Sequence, residues 1–139
     1  MATATFDQRT TTALTPRDVI ERFVDAIGAQ DIDRVVALYA PDTRWEVHVP
    51  GWDGIATTPA GVSEFHDGYF VEHRDAFSVD GYQLIADGDA VALRWDLSWR
   101  DRRDGAHCLS FQSHFFEVRH GLIHRHRMYC AGVRVDERR

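Results

Sequence analysis

Across residues 77–131 the sequence alternates between apolar and polar side chains, and a repeat of two belongs to half-buried strands. Four runs carry it: residues 77–86, 90–100, 107–118 and 122–131. They are joined by Asp87-Gly88-Asp89, by residues 101–105 and by His120-Gly121, all of which are turn chemistry. The second half of the chain therefore reads as a four-strand antiparallel meander. Whatever precedes it must cover one face of that sheet.

The first half reads mainly as helix. Residues 1–14 are rich in Thr and Ala without periodicity, and a flexible arm is expected there. Thr15-Pro16-Arg17-Asp18 then supplies a cap hydroxyl, a proline at the first helical position and a carboxylate in the first turn. Val19, Ile20, Phe23 and Ile27 share one face of this helix, and Gly28 ends it. Asp31 opens a short second helix that carries Val35, Leu38 and Tyr39 inward and stops before Pro41. A strand over residues 44–49 ends at Pro50-Gly51. Thr58-Pro59 starts a third helix with Val62, Phe65, Tyr69 and Phe70 along one side. The order is α+β, with helices on one face of a curved, mostly antiparallel sheet, and one domain is expected over residues 15–132 with a tail at 133–139.

Lysine is absent, so all 16 basic residues are arginine. That excludes a lysine Schiff base, a pyridoxal-phosphate anchor and a phosphate-loop lysine, and no cofactor is expected. A formal net charge of −6 argues against nucleic acid as a partner. No run approaches the ~18 apolar residues of a membrane span. The start of the chain lacks the basic and apolar regions of a signal peptide. Cys108 and Cys130 have no metal-type spacing and read as thiols of a reducing compartment, which makes the expected location cytoplasmic.

The element order, the segments LYAPDTRW and VPGWDG, the meander and the final GLIHRHRMY resemble the nuclear transport factor 2-like superfamily over residues 15–132. Ketosteroid isomerase, scytalone dehydratase, limonene-1,2-epoxide hydrolase and the SnoaL-like polyketide cyclases are of this kind. The resemblance implies a cone, its sheet wrapped around the N-terminal helices and a pocket between them.

On the last run, Arg125 and Arg127 cannot point into a core without partners, so Leu122, His124, His126, Met128 and Cys130 are expected inside. If the hairpin at Gly121 opposes residues of like parity, Ser110, Gln112, His114 and Phe116 join them. A two-residue turn would invert that strand. For residues 90–100 two readings compete. Hydrophobicity alone buries Val91, Leu93, Trp95, Leu97 and Trp99 and leaves Arg94 and Asp96 in water. The resemblance points the other way, because Arg94-Trp95-Asp96 matches the Arg-x-Asp that lines the pocket of limonene epoxide hydrolase. The inward placement of Arg94 and Asp96 is the expectation carried forward. It puts Trp95, Leu97, Trp99, Leu109, Phe111 and Phe115 on the convex face, where a second subunit would cover them, and so implies a homodimer.

The residues on that inner face suggest proton-transfer chemistry on a hydrophobic small molecule, by cyclisation, isomerisation or dehydration. Asp96 and His126 are the expected acid/base pair, with Arg94 polarising an oxygen and His114 orienting. Glu46, His48, Trp52, Tyr69, Gln112, His124 and Met128 are the expected substrate contacts. Glu46 and His48 face inward if the first strand is aligned from Pro50, whereas alignment from Asp42 turns Trp45 and Val47 inward. His124-x-His126 could also ligate a metal, but no metal is expected. His126 sits where the cyclases often carry a histidine; Met128 stands where they and the epoxide hydrolase carry an acid. The alternatives are an epoxide hydrolase of the limonene type and a ligand-binding or assembly module without turnover.

Overall fold

The structure, a computed structural model, describes residues 14–66 and 73–136. Among the described residues three helices, α1 (Pro16–Gly28), α2 (Ile32–Val36) and α3 (Pro59–His66), lie with one six-stranded sheet. Its strands are β1 (Tyr39–Val49), β2 (Trp52–Ala56), β3 (Arg74–Asp87), β4 (Ala90–Asp101), β5 (His107–Arg119) and β6 (Leu122–Val135). They run in the order β2-β1-β6-β5-β4-β3, curved and unclosed, with every pair antiparallel except β1 and β6.

Helix α1 starts as its sequence dictates. The Thr15 hydroxyl accepts from the Asp18 N–H, and the Asp18 carboxylate accepts from the Thr15 N–H, each at 3.1 Å. Val19, Ile20, Phe23, Val24 and Ile27 are buried against β3, β4 and β5. The meander appears where the alternation put it. The first strand begins earlier than expected, at Tyr39, and β2 was not foreseen; it pairs with β1 across the Pro50-Gly51 turn. β6 also runs on to Val135, beyond Gly132.

The facing of β4 corrects the sequence reading. Val91, Leu93, Trp95, Leu97 and Trp99 are buried, Trp95 to 1% exposure, while the Arg94 side chain is 58% exposed. Burying each large apolar side chain stabilises by about 1.5–3 kcal/mol, and turning Arg94 and Asp96 in would cost several kcal/mol more. The hydrophobic term decides. Between β4 and β5 the register pairs odd with even, Trp95 with Gln112 and Leu93 with His114. Between β5 and β6 it pairs like with like, His114 with Met128 and Gln112 with Cys130, so Ser110, Gln112, His114 and Phe116 are buried as expected. Near the β5–β6 turn the register skips His124, a bulge that gives the inward place to Ile123.

Trp95 stacks on Phe23 with ring centroids 5.6 Å apart, so it joins sheet to helix. Trp95→Ala should cost about 3–5 kcal/mol of unfolding free energy in a urea titration. Arg94→Ala should cost under about 1 kcal/mol. Equal losses from the two would contradict the facing described here.

Candidate functional site

The even residues of β5 and β6 meet Tyr39 of β1 and Trp95 of β4 in one buried polar chain. Tyr39 Oη lies 2.7 Å from His126 Nδ1, and His126 Nε2 lies 2.7 Å from His114 Nδ1. His114 Nε2 lies 2.9 Å from Gln112 Oε1, which also accepts from the Trp95 indole N–H at 2.9 Å. Gln112 Nε2 donates onward to Ser110 Oγ at 3.2 Å.

Elementary donor counting sets every proton in this chain. An indole nitrogen can only donate, so the Gln112 atom facing it is the oxygen. That oxygen can only accept, so His114 carries its proton on Nε2. Neutral His114 then accepts at Nδ1, His126 donates from Nε2, and its Nδ1 accepts from the Tyr39 hydroxyl. Both rings are neutral, because burial pushes His114 down to about 3, helped by His66, and pushes His126 well below its ordinary value. Burial raises the Tyr39 phenol well above its ordinary value, which keeps it a donor. All four ring nitrogens of the two histidines are therefore used within the protein.

Around the chain the walls are aromatic. Phe116 stacks on His126 at 4.2 Å, and Trp45 lies between two imidazoles, 5.2 Å from His126 and 5.1 Å from His66. His66 is buried and held down to about 3, chiefly by burial and then by Arg74. Arg74, itself buried, has its guanidinium 3.8 Å from the centre of the Trp99 ring. These groups border a cavity of about 20 Å³ lined by Arg74, His66, Gln112, His114, His126 and Met128 together with apolar rings. That is room for one water. A wider groove of about 700 Å³ opens between β1–β2 and α3, along Val47, Gly54, Thr58, Gly61 and Glu64. Trp45 and Phe65 border both spaces. The Trp45 indole N–H is buried and has no hydrogen-bond acceptor among the described residues.

Of the expected site residues, His114, His126, Gln112 and Met128 come together at the cavity. Asp96 and Arg94 do not. They lie on the outer face, 3.5 Å from each other, so the expected Asp96–His126 pair does not form. Trp45 and Val47 take the inward places on β1, and Glu46 and His48 face outward. Glu46 meets Arg44 and Arg127, and His48 Nδ1 lies 3.2 Å from Asp53 Oδ1. His124, on its bulge, lies 3.5 Å from Asp42 rather than beside His126, which removes the His-x-His ligand pair. Among the described residues no group of three His, Cys, Asp or Glu side chains is placed to hold a metal. Trp52 opens β2 opposite Val49, and Tyr69 lies outside the described residues.

Sequence reasoning missed His66, Arg74 and the place of Trp45 between His66 and His126. His66 was findable, since it follows Val62 by four on the buried face of α3. Arg74 was not, because Ala76, at φ 50°, and a register shift between Asp75 and Ser78 break the alternation there.

The chain matches the SnoaL-like domain over residues 20–126. No curated protein matches it. Among solved structures, a proposed polyketide cyclase of Pseudomonas putida KT2440 is 17% identical with a TM-score of 0.71, covering 84% of this chain and 92% of that one. A proposed ketosteroid isomerase of Kribbella flavida DSM 17836 is 18% identical with a TM-score of 0.61, covering 87% and 81%. An LEH-like epoxide hydrolase of M. tuberculosis is 21% identical with a TM-score of 0.65, covering 83% and 81%. At these identities the likeness is one of fold.

Three buried neutral histidines make stability depend on pH. Unfolded histidine takes up a proton near 6.5, whereas His66 and His114 wait until about 3 and His126 also lies far below its ordinary value. The unfolded chain thus binds more protons below pH 6.5, and stability must fall as the pH drops. The loss should reach up to about 1.4 kcal/mol per pH unit for each histidine. Urea titrations from pH 8 to pH 5 should give a plateau above about 7 and a decline below about 6.5. His66→Phe should lessen that slope by about a third. A flat profile would mean that the rings take up protons in the fold as readily as in the unfolded chain.

Proposed function

The chain belongs to the family of SnoaL-like domains, and from that premise we propose a cofactor-independent acid/base enzyme acting on a hydrophobic small molecule. The substrate sits in the groove between β2 and α3, and displacement of Phe65 lets its carbonyl reach the one-water cavity that His66 and Arg74 border. The observation that carries this reading is the wall shared by groove and cavity, Trp45 with Phe65. The groove has the size of a small-ligand site. A buried N–H without an acceptor costs about 1–3 kcal/mol, and an oxygen of the ligand supplies the acceptor that Trp45 lacks among the described residues.

Arg74 is charged at all accessible pH values, and beside it a developing oxyanion is stabilised more than in water. His66 is neutral near pH 7, and a negative charge forming beside it would offset the burial and the Arg74 charge that disfavour its protonation. A C–H next to a carbonyl can thus lose its proton to His66 while the electron pair moves to the carbonyl oxygen near Arg74. The proton is then returned to another carbon or removes a hydroxyl as water. Cyclisation, isomerisation and dehydration all draw on that pair of roles, and cyclase and isomerase are names its structural neighbours carry. The Tyr39–His126–His114–Gln112 chain holds the Trp45 wall in place, its nitrogens being occupied. Epoxide opening of the limonene type rested on Arg94-x-Asp96, and that pair is outside.

One observation favours a binding module without turnover: no carboxylate is among the described residues that line the cavity. The free thiols Cys108 and Cys130 fit the expected cytoplasmic location. No helix among the described residues is long and apolar enough to cross a membrane. The homodimer loses half of its premise, since Trp95, Leu97 and Trp99 are in the core.

Steady-state assays on enolisable hydrophobic ketones test the proposal. Arg74→Met and His66→Gln should each lower kcat by about 10² to 10⁴. Asp96→Ala and Arg94→Ala should leave it unchanged. Trp45→Phe, which removes the N–H together with part of the buried indole, should raise KM and also lower the melting temperature. A ligand retained in native mass spectrometry with no turnover by the parent protein would establish the binding module instead. Full kcat in Arg74→Met would end the enzyme reading of this cavity.

A further inference from the structure

Two residues that line the groove between β2 and α3 carry a polar group with no partner among the described residues. One is Trp45, whose buried indole N–H lacks an acceptor. The other is Glu64 of α3, an exposed carboxylate that lacks a cation. Its situation differs from that of the other glutamates described. Glu21, Glu46 and Glu117 lie 3.5, 3.4 and 3.3 Å from an arginine nitrogen. In a chain with 16 arginines, none of those described is spent on Glu64.

Glu64 is also the one charged side chain among the described residues that line the groove. Val47, Ile55 and Ala56 give it apolar walls, and the Thr58 hydroxyl is already taken by the Gly61 N–H at 3.1 Å. Helix and strand meet closely here, since a Cβ on Gly61 would come within 3.3 Å of the Ala56 Cβ. Arg74 borders the inner cavity rather than the groove, so no cation of the described lining offsets the charge. The net charge of −6 on the whole chain has the same sign. The groove thus offers a hydrophobic body one unpaired negative charge.

We infer that the ligand of this groove is a hydrophobic ketone carrying a protonated amine, and that Glu64 selects it. The inference rests on the proposed reading of the groove as the ligand site. The carbonyl goes to the Trp45 and Phe65 end, and the ammonium stays in the groove and donates to Glu64. An ionised carboxylate can only accept, so an ammonium, with three donors and a positive charge, complements it better than a hydroxyl does. A carboxylate or phosphate on the ligand would meet a like charge instead, which disfavours hydrophobic acids. Glu64 touches no reacting atom and acts on specificity alone. Because it is exposed, water and salt screen the pair, and the selection is a matter of a few-fold.

Three tetralones test this, bearing an aminomethyl, an ethyl or a carboxyl group on the aromatic ring. Each is titrated into the full chain by isothermal calorimetry at neutral pH and about 50 mM salt. The amine should bind about two- to fivefold more tightly than the ethyl compound, and the acid more weakly than either. Raising the salt to about 300 mM should narrow the spread. Glu64→Gln should bring the amine to the affinity of the ethyl compound and leave the ethyl compound unchanged. Glu64→Arg should make the acid the best of the three. Both changes are at an exposed position, and the melting temperature should stay that of the parent. Equal binding of the three, binding of none, or an amine preference that survives Glu64→Gln would overturn the inference. Turnover is read separately. Selective binding without turnover keeps the inference and counts against the enzyme reading, whereas turnover of all three at one KM does the reverse.

Discussion

Much of this molecule depends on which side of β4 is buried. Trp95 goes inward because Val91, Leu93, Leu97 and Trp99 go with it, and α1 offers Phe23 and its apolar face as cover. Once that row is inside, the register carries the choice across the sheet. Gln112 and His114 of β5 stand opposite Trp95 and Leu93, and Met128 and Cys130 of β6 stand opposite them in turn. The polar inner surface is therefore a consequence of an apolar one. The same choice sends Arg94 and Asp96 to the outer face, where Arg94 is exposed and Asp96 half-buried.

Trp95 has a second effect through its one polar atom. As a pure donor it orients Gln112, and Gln112 orients two imidazoles and a phenol in sequence. In a low-dielectric interior such a chain is rigid when every member is satisfied. Its members have no spare nitrogen for a ligand, so three polar side chains that resemble catalytic groups serve as a wall. In the proposed reading the chemistry falls to Arg74 and His66, which border the same cavity from β3 and α3. The boundary with the open groove is Trp45, held between His66 and His126.

The two faces of the sheet thus differ in kind. Inside, a buried guanidinium stands among neutral rings, and charge there acts over short range in a poorly screened setting. Outside, arginines share two glutamates at a surface where solvent and salt screen their charges. The absence of lysine gives both faces the same cation, planar and always charged.

Local rules were enough to read the helix start at Thr15, the buried stripe of α1 and the four strands of the meander. Each depends on residues within a few positions of one another. The α+β class and the SnoaL-like resemblance follow from that order. The inward set Ser110, Gln112, His114 and His126 was also legible, because two arginines on β6 would have cost too much inside. Other features were settled by residues distant in sequence. Tyr39 reads as helical beside Pro41, yet the parallel pairing of Tyr39 with Ile123 makes it strand and brings its hydroxyl to His126. One extra residue at the β6 bulge removes His124 from the site. The facing of Arg94 could be read from hydrophobicity alone and was misplaced by analogy. Sequence thus determined the elements and their amphipathic faces, since those come from short-range periodicity and burial cost. Tertiary structure decided which polar groups meet, since register, bulges and parallel pairing depend on contacts that no local pattern encodes.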